Sequence, residues 1–310
     1  MSRRIEQQSL EANLAALNEL LETIPEFDYV GRMGIEQRRD EVAGRLTELK
    51  AAEEERFAEV ALFFGGDPVF GSRGISAGFV GRAIGDFQDL ITKLWATDEG
   101  GNLTAYGPIK DVASSRLHVT EILHGSFGFI LEELDEHGAP MFDSPLKQAT
   151  ARATSLIQNF VSEGDVEFEE MIETVPVRVF SALKDLFKTI RNNDAVFRLV
   201  EGETDLSLDE ETIERAYRRA EAYDISEDII ETEAELLGVL PIAGRFELKD
   251  LTGQILRGKV GTQFSQEYLE RIEKEQLAGK RWLVRVQRRE KRRVGKPTVS
   301  LTLLELHPLE

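Results

Sequence analysis

The chain has 310 residues, 41% hydrophobic and 31% charged, with a net charge of -19 from 38 Lys and Arg against 57 Asp and Glu. That composition supports packed cores and excludes a chain disordered throughout. The lack of cysteine excludes disulfides, thiolate zinc sites, iron–sulfur ligation and cysteine nucleophiles.

In chain order, residues 4–22 read as an amphipathic helix, with Leu10, Leu14, Leu17 and Leu21 on one stripe. Pro25 ends it. A second helix over 35–58 turns Ile35, Val42, Leu46 and Leu49 inward. Together they form a helical hairpin, 1–58, which either packs on its own body or dimerises the chain. The apolar run at Val60 followed by Gly65-Gly66-Asp67-Pro68 predicts a β-hairpin. A helix over 77–95 follows, then a second hairpin over 117–134 and a helix over 145–162. Pro176 opens a further helix, and 195–201 read as a strand. Ser207 and Glu210 form a capping box ahead of a helix from Leu208 to about Ala222. Hairpin strands with helices gathered on one face describe an acidic α+β domain, 59–224, built as a two-layer sandwich.

The last part, 225–310, is different. Ile230, Thr232, Ala234 and Leu236 alternate with Glu231, Glu233 and Glu235, the period of a strand. Phe246 and Leu248 mark a second strand, and Ile255 to Val260 a third. A short helix is expected at 265–276, with Tyr268, Leu269 and Ile272 on its apolar side. Trp282, Val284 and Val286 mark a fourth strand. The fifth has Val299, Leu301 and Leu303 inward and Thr298, Ser300 and Thr302 outward. The order of three strands, a helix and two strands is similar to the OB-fold, a five-stranded small β-barrel. The fold class expected is therefore α+β: helical hairpin, two-layer core and OB-like barrel.

Charge is unevenly spread. Residues 225–310 carry 15 basic and 14 acidic side chains, so the rest of the chain is strongly acidic. From Lys280 to Lys296 there are nine Lys or Arg and a single acid, Glu290. Arg288, Arg289, Lys291, Arg292, Arg293 and Lys296 fall around the expected connection of the fourth and fifth strands. The OB resemblance makes that loop a ligand-binding one. A solvated loop of this charge attracts phosphates and releases counterions on binding. The aromatic platforms of single-strand binders are scarce beside it, because Trp282 alternates inward. The other reading is a basic hairpin folded onto acids of the chain, such as Glu231, Glu233 and Glu235.

Other motifs carry less. Gly66-Asp-Pro-Val-Phe-Gly71-Ser72-Arg73 has the glycine spacing of a phosphate loop, but Ser72 and Arg73 stand where lysine and a hydroxyl are required. Arg73 at a helix N-terminus could hold an anion. His118-Val-Thr120 and His124-Gly-Ser126 each resemble the H-x-T/S element of two-histidine phosphodiesterases. Within one extended hairpin, however, the two histidines lie about 20 Å apart. His137 and His307 read as solvated. The carboxylates Glu132, Glu133, Asp135 and Glu136, like Glu167, Glu169, Glu170 and Glu173, read as surface. No metal site or cofactor is expected.

The stretch Phe64-Gly-Gly-Asp-Pro-Val-Phe-Gly-Ser-Arg-Gly-Ile75, preceded by the helical hairpin, resembles a loose group of uncharacterised bacterial proteins over about the first 95 residues. The resemblance implies a layout and no activity. The function expected is non-enzymatic binding or scaffolding, with the six basic residues contacting nucleic acid or another polyanion. Two alternatives stand beside it. One is a phosphate-ester enzyme using His118 and His124. The other is an oligomeric subunit of a bacterial assembly, such as a phage-defence complex, self-associating through residues 1–58. No apolar run reaches the roughly 18–20 residues of a membrane span, so no membrane partner is expected. The opening MSRRIEQQSLEANL lacks the apolar region of a secretory signal, which makes the cytoplasm the expected compartment.

Overall fold

The computed structural model describes residues 3–25, 28–51, 56–99, 108–109, 111–123, 127–134, 142–261, 264, 279–293 and 296–309. It is an α+β structure in two compact units, Met1–Arg218 and Arg219–Glu310, the second containing a closed five-stranded barrel. Among the described residues no helix is long and apolar enough to cross a membrane.

The first unit begins with the antiparallel pair α1 (Arg3–Thr23) and α2 (Tyr29–Ala51), whose seam buries Leu17, Leu21 and Leu46. Next come β1 (Glu59–Gly66), the short β2 (Val69–Phe70) and β3 (Gly74–Ile75), and α3 (Ala77–Glu99). The hairpin of β4 (His118–Leu123) and β5 (Phe127–Glu132) precedes α4 (Pro145–Val161), α5 (Asp165–Thr174) and α6 (Val177–Arg191). Then follow β6 (Ala195–Glu201), β7 (Thr204–Leu208) and α7 (Glu210–Glu221).

The sheet order is β4-β5-β1-β6-β7. The expected hairpin at Val60 is therefore corrected. β1 pairs antiparallel with β5 and β6, and β2 pairs with β3. The reason is burial. Val60, Ala61, Leu62, Phe63 and Phe64 are all buried, and only a central strand covered on both faces can hide five successive apolar side chains. On one face Phe64 meets Phe79 edge-on at 5.3 Å and stacks on Phe197 at 5.5 Å. Behind this layer Phe160 of α4 lies 4.6 Å from Phe187 of α6. On the other face Ala61, Phe63, Ile130 and Val200 form a smaller cluster onto which Ile5 of α1 packs. Gln8 of α1 donates to Asp205 and accepts from Arg198, so polar contacts hold the helical hairpin to this face as well. Gly128 is required here, because a Cβ would stand 2.5 Å from the Phe63 ring.

Two local expectations differ from the structure. The Ser207–Glu210 capping box does not form. Ser207 is held extended by pairing with Arg198, and Asp209 caps α7 by accepting from the Thr212 amide at 2.8 Å. Strand β7 and helix α5 are additional elements. Ser144 caps α4 as a side-chain acceptor from the Lys147 amide, and its hydroxyl donates to Glu133, which also accepts from the Ala58 amide.

The second unit has five strands: β8 (Tyr223–Leu240), β9 (Arg245–Asp250), β10 (Ile255–Val260), β11 (Arg281–Arg293) and β12 (Lys296–Pro308). They close in the order β10-β12-β11-β8-β9. β10 and β12 run parallel, while the other pairs run antiparallel. This is the small barrel the alternation calls for. Inside it lie Leu236, Phe246, Leu248, Trp282, Val284, Val286, Leu303 and Leu306. Gly258 lets β10 approach β12, since a Cβ there would stand 2.1 Å from the Leu301 carbonyl oxygen. The helix expected at 265–276 lies outside the described residues. β8 is much longer than the alternation at 230–236 suggests. Its first half has no partner in β9 and instead pairs with β11, so β8, β11 and β12 extend beyond the barrel as a three-stranded arm.

Candidate nucleic-acid interface

The basic run is not a loop. Arg288, Arg289, Lys291, Arg292 and Arg293 are all in β11, paired with β8 on one side and β12 on the other, and Lys296 opens β12 opposite Arg293. The long β8 supplies a partner for the whole run, which keeps it extended. A strand turns successive side chains to opposite faces, so the run is divided.

Trp282, Val284 and Val286 point into the barrel, and the same face continues along the arm as Arg288, Glu290 and Arg292. Here the charges are satisfied locally. Glu290 accepts from Arg288 at 2.9 Å and from Arg292 at 2.7 Å. Glu290, with a smaller pull from Asp224, holds the Arg292 guanidinium above its ordinary pKa. The opposite face carries Gln287, Arg289, Lys291 and Arg293; along β8 it is covered, with Tyr223 and Glu227 buried. Arg289 pairs with Glu227 at 3.1 Å, the two side chains being 14% and 4% exposed. Lys291 and Arg293 lie over the ring of buried Tyr223, at 5.8 and 5.3 Å from its centre.

Register adds a second relation. Arg281, Arg285, Arg288, Arg289 and Arg292 stand opposite Glu235, Glu231, Asp228, Glu227 and Asp224 of β8. Opposite charges directly across an antiparallel pair favour that pairing, and a slip of one residue in either direction would leave fewer of them.

Three further cations, overshadowed in the sequence by the β11 run, come forward on the barrel. Phe246 and Leu248 point inward on β9, and Leu256 and Val260 on β10. Alternation therefore turns Arg245, Lys249 and Lys259 outward, and all three are exposed without an ion pair among the described residues. Arg257, between them, is bound to Glu247 at 2.8 Å. The period-two pattern of RFELKD and ILRGKV was the signal for them.

The remaining candidates are scattered. His118 is exposed on β4 opposite Glu132. His124 and His137 lie outside the described residues, as do Asp135 and Glu136. His307 pairs with Glu305 at 3.2 Å. Arg73 lies 6.0 Å from the centre of the Phe70 ring. An open cleft in the first unit, lined by Arg191, Asn192, Asp194, Glu210 and Glu214, has its arginine bound to Glu214 at 2.6 Å.

Compared with family models, with characterised proteins and with solved structures, the chain matches none.

Proposed function

We propose that the chain is a non-enzymatic binding protein whose C-terminal unit holds nucleic acid on the face of its β11–β12 arm that carries Lys291, Arg293, Thr298 and Ser300. One observation supports this reading most. On that face Lys291 and Arg293 follow one another beside the exposed Thr298 and Ser300 of β12, while Arg289 is held by Glu227. Lys and Arg side chains beside hydroxyls are the groups that hold phosphate oxygens. Arg288 and Arg292, committed to Glu290, contribute less.

The test is binding of the full chain to labelled single-stranded DNA or RNA across a salt series. About three phosphate contacts give a slope of log affinity against log salt near -2. The double variant Lys291→Glu, Arg293→Glu should remove this binding. No binding by the parent at about 50 mM salt, or equal binding by the variant, refutes the reading.

A second reading is favoured by the register of five opposite-charge pairs between β8 and β11. Under it the cations align two long strands and the unit is a scaffold. Nucleic-acid binding would then be absent throughout, and Arg288→Glu, Arg292→Glu, which reverses two of the five pairs, would lower the unfolding midpoint.

A further inference from the structure

We infer that this binding face continues beyond the arm, along a row of hydroxyls on β12, to a cation pair on the barrel, and takes a single nucleic-acid strand by its phosphates without reading its bases. The inference rests on the reading above and specifies its ligand.

The row is set by alternation. Leu303 is buried and Leu301 packs against the barrel core, so Thr298, Ser300 and Thr302 face outward. Thr298 and Ser300 are exposed and Thr302 is half-buried. None of the three hydroxyls has a side-chain hydrogen bond among the described residues. No charged residue occurs between Pro297 and Leu304, so the row contains no acid of its own.

Cations border it on both sides. Along the arm, Lys291 stands opposite Thr298, while Arg289, opposite Ser300, is committed to Glu227. On the barrel, Lys259 of β10 stands opposite Thr302, and Arg245 of β9 stands opposite Lys259. Arg245 and Lys259 are like charges placed directly across an antiparallel ladder, with no acid engaged to either among the described residues. Acids on the flanking strands and at the end of β12 are in ion pairs: Glu227 with Arg289, Glu247 with Arg257 and Glu305 with Arg285. From position 296 to Thr302 the strand extends about 20 Å, enough for several successive phosphates.

The chemistry selects the ligand. Hydroxyls and Lys or Arg side chains are the groups that bind phosphate oxygens and fix a strand's register. Among the described residues no aromatic ring is open for stacking on this face. Trp282 and Phe246 point into the barrel, and Tyr223 is buried beneath Lys291 and Arg293. A strand held here keeps its bases away from the protein, so its sequence has little effect.

The experiment uses the full chain and homopolymer deoxyoligonucleotides in a short form of about three residues and a long form of about fifteen. Lys259→Glu should weaken the long oligomer about tenfold and reduce the magnitude of the salt slope by about 0.7, the value of one phosphate contact on a single strand. It should leave the short oligomer, which cannot reach from arm to barrel, unchanged. Ser300→Ala, which removes a neutral donor, should weaken the long oligomer about threefold with the slope intact. Lys259→Gln, which adds no repulsion, should give an intermediate loss, and unfolding curves verify that each variant is folded. Parent-like binding of the long oligomer by Lys259→Glu, with loss on reversing Lys291 and Arg293, would show a site that stops at the arm. That overturns this inference and leaves the proposed function standing. A preference above about tenfold among dA, dC and dT oligomers also overturns it. No binding of any oligomer by the parent at low salt refutes the proposed function itself.

Discussion

Arg289 and Glu227 face each other across β11 and β8 at 3.1 Å, almost closed to water. A pair this buried is costly to break, because the survivor is left as an uncompensated charge. Glu227→Ala should therefore destabilise the second unit by about 3–5 kcal/mol in urea unfolding. The double change Glu227→Leu, Arg289→Met should recover most of that loss. A loss below about 1 kcal/mol for the single variant would mean that water reaches the pair.

The closure of the barrel depends on Gly258. Its missing Cβ leaves room for the Leu301 carbonyl, a backbone atom that cannot swing aside. Gly258→Ala should cost about 1–3 kcal/mol and loosen the β10–β12 pairing. Gly238→Ala on β8 is the control, since its Cβ would meet nothing within 4 Å. Amide exchange at Gly261, which donates to the Leu303 carbonyl of β12, should accelerate in the first variant alone. Equal protection in both would disprove the steric account.

The pH dependence contains two opposed contributions. Burial raises the Glu201 carboxyl above its ordinary 4.5, with Lys147 pulling it back. The folded state thus holds this proton more tightly, so the contribution is full below 4.5 and is lost as pH rises through the raised value. Asp209 is shifted the other way, below 3.8, chiefly by its hydrogen bonds to Thr212. Its contribution is present above 3.8 and is lost as pH falls through the lowered value. Glu201→Gln should raise the urea midpoint at neutral pH and match the parent in acid. Equal midpoints at neutral pH would show that the carboxyl is solvated.

The elements themselves are mostly legible in the sequence, because helix and strand periods are local. The stripe of α6 and the alternation at Ile230, Thr232, Ala234 and Leu236 mark a helix and a strand whatever lies beside them. So does the order of five strands that closes into the barrel. The six basic residues at 288–296 are equally plain as a cluster. Partners are another matter. That β1 sits at the centre of its sheet, that β8 runs on to pair with all of β11, and that β10 meets β12 in parallel are relations between distant segments. They decide how the cations are used. A loop would have presented them together, whereas a paired strand sends Arg288 and Arg292 to Glu290 and leaves Arg289, Lys291 and Arg293 on the other face. The sequence by itself determined which residues are charged and which segments extend. The tertiary structure alone decided which charges meet, because a side chain's face and its neighbours belong to the pairing rather than to the strand.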